Sequence, residues 1–176
     1  MKDSDRKSFL ELYEPVHPKL SKFCRVISGN VEDAEDLLND TVLNAMENFG
    51  KLRKVDAFKA YVFSIASNIN KKRIRRKKFR AEFNEKELNC LIDLSQNPEY
   101  ITDFRIIYDQ LLKLPDKMAE AMILFHISDL SLEEIRKIQG GSLSGVKLRL
   151  KRGREKLISI LHTPRQVSMI MMFFTF

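Results

Sequence analysis

From Val31 to Phe49 the apolar residues recur at helical spacing. Val31, Ala34, Leu38, Val42, Ala45 and Phe49 follow one another three or four positions apart and fall within one narrow arc. A stripe of this kind is stable only when another packed element covers it, so it predicts a helix docked on a hydrophobic core. Asn30 stands where an N-cap is needed, and Glu32 and Asp33 favour the positive end of the helix dipole. The opposite arc carries Glu32, Asp33, Asp36, Asp40 and Glu47, with Leu43 among them. With 6 Gly and 5 Pro in 176 residues, the chain lacks the turn residues that a sandwich or barrel uses about every 8–12 residues. The expected fold class is all-α.

The rest of the chain agrees with that class. A helix is expected over 4–27, with Phe9, Leu10, Leu12, Tyr13, Val16, Leu20, Phe23 and Ile27 as core candidates, broken or kinked by Pro15 and Pro18. Residues 50–56 read as a short basic loop. A helix from Ala57 then places Phe58, Tyr61, Val62, Ile65 and Ile69 on one face and runs into the basic stretch 71–80. This closes a first domain over 1–80. Residues 81–104 are acidic, contain Asn97-Pro98 and read as a linker.

A second domain is expected over 105–162. Ile106, Ile107, Leu111, Leu112 and Leu114 suggest a helix ended by Pro115, and Met118, Met122, Ile123 and Phe125 suggest another. Ser131-Leu132-Glu133-Glu134 is a capping box, in which the serine hydroxyl and the glutamate three residues later satisfy each other's free backbone N–H groups. That helix ends at Gly140-Gly141. Ser142 caps the next, whose inner face carries Val146, Leu150, Gly153, Leu157 and Ile160. Residues 163–176 form an apolar tail with no assigned role.

Charge is concentrated rather than diffuse. The formal total is +7, but 31–50 carries −6, 71–80 carries +8, 81–103 carries −5 and 145–156 carries +5. Two compact basic patches suggest two contacts with a polyanion, most often nucleic acid; the plainer alternative is a solvated surface. A capped helix, a tight glycine turn and a basic helix make a helix-turn-helix, and the plainer alternative is a helical hairpin. In its second helix Leu143, Ser144, Lys147, Leu148 and Arg149 lie nearest to base edges, and Lys147 and Arg149 can donate to guanine or to phosphate. In the first domain Phe58, Tyr61 and Phe63 precede the basic stretch, as aromatics that stack unpaired bases do, although Phe58 and Tyr61 also suit a core. The acidic arc around Leu43 repels DNA and suits protein docking or plain solvation.

Several classes are excluded. No apolar run reaches the roughly 18–20 residues that span a bilayer, and the opening Lys2-Asp3-Ser4-Asp5-Arg6 is unlike a signal peptide, so a cytoplasmic location is expected. Cys24 and Cys90 make no disulfide framework. His17, His126 and His162 have no ligand spacing, and no residues pair as nucleophile and base. The chain therefore reads as no enzyme, with no metal, no cofactor and no small-molecule substrate.

The motifs taken together resemble a family. Ala34-Glu35-Asp36-Leu37-Leu38-Asn39-Asp40 is similar to the AEDLVQ(E/D) stretch of extracytoplasmic-function sigma factors, a branch of the sigma-70 family. Ala60-Tyr61-Val62-Phe63-Ser64-Ile65-Ala66-Ser67-Asn68 resembles their AWLxxIAxN, followed by the basic Arg73-Ile74-Arg75-Arg76-Lys77-Lys78. Leu114-Pro115, Glu133-Glu134-Ile135, Gly140, Ser142, Val146-Lys147, Arg149-Leu150 and Arg152 match the family's second domain in order and spacing.

The resemblance implies two small helical domains, a sigma-two bundle and a sigma-four helix-turn-helix, joined by the acidic linker. It implies that Asp36, Asn39, Asp40, Leu43 and Glu47 dock on the β′ clamp helices of core RNA polymerase, with the β flap as a further contact. Lys51, Arg53, Lys54, Tyr61, Asn68, Lys71, Lys72, Arg73, Arg75 and Arg76 would hold the minus-ten element, with the loop 51–56 pocketing a flipped base. Ser142, Leu143, Ser144, Lys147, Leu148, Arg149, Lys151 and Arg152 would read the minus-thirty-five element. Promoter DNA and an anti-sigma factor are the other implied partners. The runner-up reading is a helix-turn-helix regulator that binds duplex DNA without docking on polymerase. Departures from the pattern are Tyr61 for Trp, Lys72 for Asp, and Arg136, Gly145 and Gly153 in the helix-turn-helix. Arg136 and Gly145 are expected to lower helix stability, since an interior glycine costs about 1 kcal/mol against alanine.

Overall fold

The computed structural model describes residues 3–52, 54–79 and 106–160. Arg53, the linker 81–104 with Cys90, His162 and the tail 163–176 lie outside those residues. Every described element is helical, and the chain divides into two compact units, Met1–Leu91 and Ile92–Phe176.

The first unit contains α1 (Asp3–Tyr13), α2 (His17–Ser28), α3 (Val31–Glu47) and α4 (Phe58–Phe79), with 3-10 turns at Phe49–Lys51 and Val55–Ala57 between the last two. The single helix expected over 4–27 is thus two helices. Pro15 lacks the N–H that would extend α1, and the chain turns there with Val16 N donating to Tyr13 O at 2.9 Å. Pro18 falls in the first turn of α2, where its missing N–H has no partner to lose. Asn30 caps α3 as expected: its Oδ1 accepts from Asp33 N and its Nδ2 donates to Asp33 Oδ2, both at 2.7 Å.

The buried stripe of α3 is rotated by about one position from the expected arc. Ala34, Leu37, Thr41 and Ala45 are buried, Leu38 and Val42 are half-buried, and Val31 is 49% exposed. Thr41 tolerates complete burial because its hydroxyl donates to Leu37 O at 2.6 Å, leaving no donor unsatisfied. Helix α4 packs on both α2 and α3, so its buried arc is wide. It takes in Phe58, Ala60, Val62, Phe63, Ala66 and Ser67, while Ile65 and Ile69 are half-buried. Phe9 contacts Phe49 and Phe58 edge-on, each with ring centroids 5.4 Å apart, and Phe23 meets Phe63 at 5.2 Å. Burying each of Phe9, Phe23, Phe58 and Phe63 contributes about 1.5–3 kcal/mol. Cys24 is core, whereas Leu10 turns outward.

The second unit contains a helix over 106–112 (α5), α6 (Asp116–Met122) continuing into a π-helical turn Ile123–Ile127, α7 (Leu132–Gln139) and α8 (Leu143–Ile160). Its core includes Tyr108, Leu111, Met122, Leu124, Ile135, Val146, Leu150 and Leu157. Both halves of the capping box are present, with Glu134 N donating to Ser131 Oγ at 3.2 Å and Ser131 N to Glu134 Oε2 at 2.7 Å. Gly140 and Gly141 adopt φ of 74° and 86°, a left-handed backbone that makes the turn tight and favours glycine. Ser142 then caps α8, its Oγ accepting from Gly145 N at 3.1 Å. Gly153 is buried where α8 meets α6. Ile160, expected on the inner face, is 37% exposed.

Candidate docking and nucleic-acid interfaces

Three charged surfaces are built on these helices. On α3 the side opposite the buried stripe presents Asp36, Asn39, Asp40 and Glu47, all exposed, around Leu43, which is 60% exposed. An apolar side chain ringed by carboxylates fits a partner that offers an apolar contact with cations around it. All five residues expected to dock on a protein are therefore brought together on one helix.

On α4 the residues expected to hold a strand do not behave alike. Asn68, Lys71, Lys72, Arg75 and Arg76 are exposed. Arg73 is not a free cation of that surface. Its Nη2 lies 2.6 Å from Asp40 Oδ2, and its Nη1 donates to Asp33 O at 3.1 Å, so it fastens α4 to α3. Asn70 makes a second tie, donating to Ile27 O of α2 at 3.4 Å.

Beside the other end of α4 is an open cavity of about 420 Å³, lined by Asn44, Asn48, Lys51, Leu52 and Tyr61. Lys51 Nζ donates to Asn48 Oδ1 at 2.7 Å, and Asn48 Nδ2 donates to Asn44 O at 2.9 Å, so the polar wall is a continuous hydrogen-bonded run. Tyr61 is half-buried; its hydroxyl reaches Ala45 O at 3.5 Å, and burial raises its phenol pKa. Lys54 is exposed in the loop between the 3-10 turns. Asn44, Asn48 and Leu52 were not among the expected site residues. The available signal was two asparagines four apart, one in the last turn of α3 and one at its C-cap, a spacing that puts both amides on one face.

On α8 the residues Ser142, Leu143, Ser144, Lys147, Leu148, Lys151 and Arg152 are exposed. Leu143 and Leu148 are 38% and 45% exposed, apolar points within a cationic face that can meet a thymine methyl. Arg149 differs: it is half-buried, and its Nε and Nη2 are covered and have no hydrogen-bond partner among the described residues. Arg136 does not occupy a packed position. It is half-exposed on α7 and pairs with Glu133 at 2.6 Å, which holds the Glu133 carboxyl below its ordinary pKa. The cost expected of Arg136 at a packed position does not arise, because the side chain lies at the surface beside Glu133.

The family comparisons match both units. Residues 12–80 match the model of sigma-70 region 2, and residues 104–157 match that of sigma-70 region 4, together more than two thirds of the chain. The chain is similar to the ECF RNA polymerase sigma factor SigW of Bacillus subtilis, 28% identical over 170 residues that cover 89% of this chain and 90% of that one. It is similar to the ECF RNA polymerase sigma factor EcfG of Rhodopseudomonas palustris, 29% identical over 147 residues, 82% of this chain and 80% of the other. Among solved structures, the sigma factor RpoE in complex with the anti-sigma factor NepR from Bartonella quintana superposes with a TM-score of 0.70 at 26% identity, covering 92% of this chain and 99% of that one. A regulator that used only its helix-turn-helix would leave the match over residues 12–80 without a role. Two family regions in order, on two helical units with the acidic and basic faces just described, place the chain in the sigma-70 family, as an RNA polymerase sigma factor of the extracytoplasmic-function branch.

Proposed function

We propose that this sigma factor binds core RNA polymerase through the acidic face of α3 and holds promoter DNA with α4, the Tyr61 cavity and α8. The observation that carries this reading is the pair of opposed faces on neighbouring helices of the first unit. Carboxylates surround exposed Leu43 on α3, while Lys71, Lys72, Arg75 and Arg76 stand exposed on α4. One helix suits a cationic protein surface, the other a phosphate backbone.

In this reading Asp36, Asn39, Leu43 and Glu47 make the polymerase contact, with Asp40 shared with Arg73. The cavity lined by Asn44, Asn48, Lys51, Leu52 and Tyr61 receives one unstacked base of the minus-ten element. The amides offer hydrogen bonds to a base edge and the tyrosine ring a stacking surface. Asn68, Lys71, Lys72, Arg75 and Arg76 follow the same strand. Residues 142–152 read the minus-thirty-five element, with Lys147 and Leu148 facing the groove and Lys151 and Arg152 on phosphates. The labour divides between domains at 1–80 and 105–162. The factor has no catalytic chemistry of its own, acts in the cytoplasm and is held in check by an anti-sigma factor. Capturing an unstacked base is its contribution to melting the promoter.

The test is co-elution of the full chain with core RNA polymerase on a sizing column. The native chain is expected to co-elute, and Asp36→Arg with Glu47→Arg to elute alone while keeping its helical circular dichroism. Failure of the native chain to form the complex would sink the reading.

A further inference from the structure

Arg73 and Asp40 belong to surfaces that have different jobs in the reading above, yet in the first unit they are spent on each other. Asp40 Oδ2 stands 2.6 Å from Arg73 Nη2, and the side chains are 54% and 25% exposed. The carboxylate is therefore open to a competing cation from solvent. The guanidinium is anchored at its other nitrogen by Asp33 O at 3.1 Å, so it is already ordered. Lys72 precedes it and Arg75 and Arg76 follow, all exposed. A nucleic-acid strand lying on those residues passes beside a cation that is neutralised only while Asp40 holds it.

We infer that Asp40 is an intramolecular stand-in for phosphate: it keeps Arg73 from nucleic acid until a cationic side chain of a docking partner takes its carboxylate. This rests on the proposed roles of α3 and α4 and adds a coupling between them. Docking at Asp40 frees one ordered guanidinium for a phosphate of the strand. By linkage, a phosphate on Arg73 frees Asp40 for the docking cation, so the two bindings favour each other. The partner that fits Asp40 carries Lys or Arg, and a partner lacking one leaves Arg73 paired.

The exchange is tested by imitating the docked state in the full chain. Native protein, Asp40→Asn, Asp36→Asn, Arg73→Gln and the double variant Asp40→Asn with Arg73→Gln are titrated into a fluorescein-labelled single-stranded oligonucleotide of mixed sequence, read by anisotropy over a range of salt. Asp36 removes an equal charge from the same face but makes no ion pair among the described residues. Asp40→Asn is expected to bind about three- to fivefold more tightly than Asp36→Asn, the factor that an ion pair of this exposure is worth. Its log-log salt slope should steepen by about 0.7, one added phosphate contact. Both gains should vanish in the Arg73→Gln background. Equal affinities for Asp40→Asn and Asp36→Asn, or a gain that survives Arg73→Gln, would overturn the coupling while leaving the roles of the two faces standing. No binding by the native chain and by Asp40→Asn alike would overturn the strand-binding role of α4 and the coupling with it.

Discussion

Gly153 of α8 and Met122 of α6 approach so closely that a Cβ on Gly153 would sit 3.0 Å from both Cγ and Sδ of Met122, and 3.2 Å from Met118 Cγ. The methionine chains can give by a few tenths of an ångström, and alanine restores about 1 kcal/mol of helix propensity, so Gly153→Ala is expected to stay within about 1 kcal/mol of native. A β-branched residue cannot be absorbed in this way. Gly153→Val should lose about 2–3 kcal/mol through overpacking, read as a lower urea midpoint. Equal stability of the valine variant would contradict the close packing of α8 on α6.

The capping box makes a local prediction. Ser131→Ala removes the acceptor for Glu134 N and should cost about 1 kcal/mol, with the loss confined to the start of α7. Hydrogen exchange of the Glu134 amide should accelerate in step, and an unchanged rate would contradict the cap.

Cys24 has a pH signature. Burial is the main cause that pushes its thiol from an ordinary 9.0 up to about 12, with the Arg73 charge opposing it. The neutral thiol is thus favoured in the folded chain, and its contribution is complete below pH 9. Between about pH 9 and 12 the unfolded chain ionises its thiol while the folded chain does not, so stability falls by up to about 1.4 kcal/mol per pH unit. Cys24→Ala should therefore show a shallower decline than native protein over that window in denaturation experiments. At pH 8 iodoacetamide should leave the Cys24 peptide unmodified unless the chain is unfolded. Ready alkylation would contradict its burial.

Tyr61 separates ring from hydroxyl. The hydroxyl's contact to Ala45 O is long, at 3.5 Å, so Tyr61→Phe should bind single-stranded DNA like native protein. Tyr61→Ala removes a wall of the cavity and should lose about 1–3 kcal/mol of affinity if a base stacks there. An alanine variant of unchanged affinity would remove the base from this cavity.

What the sequence disclosed follows the range of each interaction. The cap at Asn30, the Ser131 box and the Gly140-Gly141 turn rest on contacts within three or four residues, and each was legible. The buried stripe of α3 was misplaced by one position because Thr41 looks polar until its bond to Leu37 O is known. The acidic face of α3 was legible as charge on one arc of one helix. Arg73 was not: its partner Asp40 is 33 residues away, and nothing in a run of eight cations marks one as already paired. The cavity was legible only in part, through Lys51 and Tyr61, since Asn44 and Asn48 join it by the packing of α4 beside the end of α3.

The most direct measurement is run-off transcription with purified core RNA polymerase on a pool of promoter fragments, with native chain or with Asp36→Arg plus Glu47→Arg. The native chain is predicted to start discrete transcripts that core enzyme alone does not make, and the charge-reversed chain is predicted to start none while still binding single-stranded DNA through α4. Transcripts of equal yield with the charge-reversed chain, or none with the native chain although it co-elutes with core enzyme, would contradict the account.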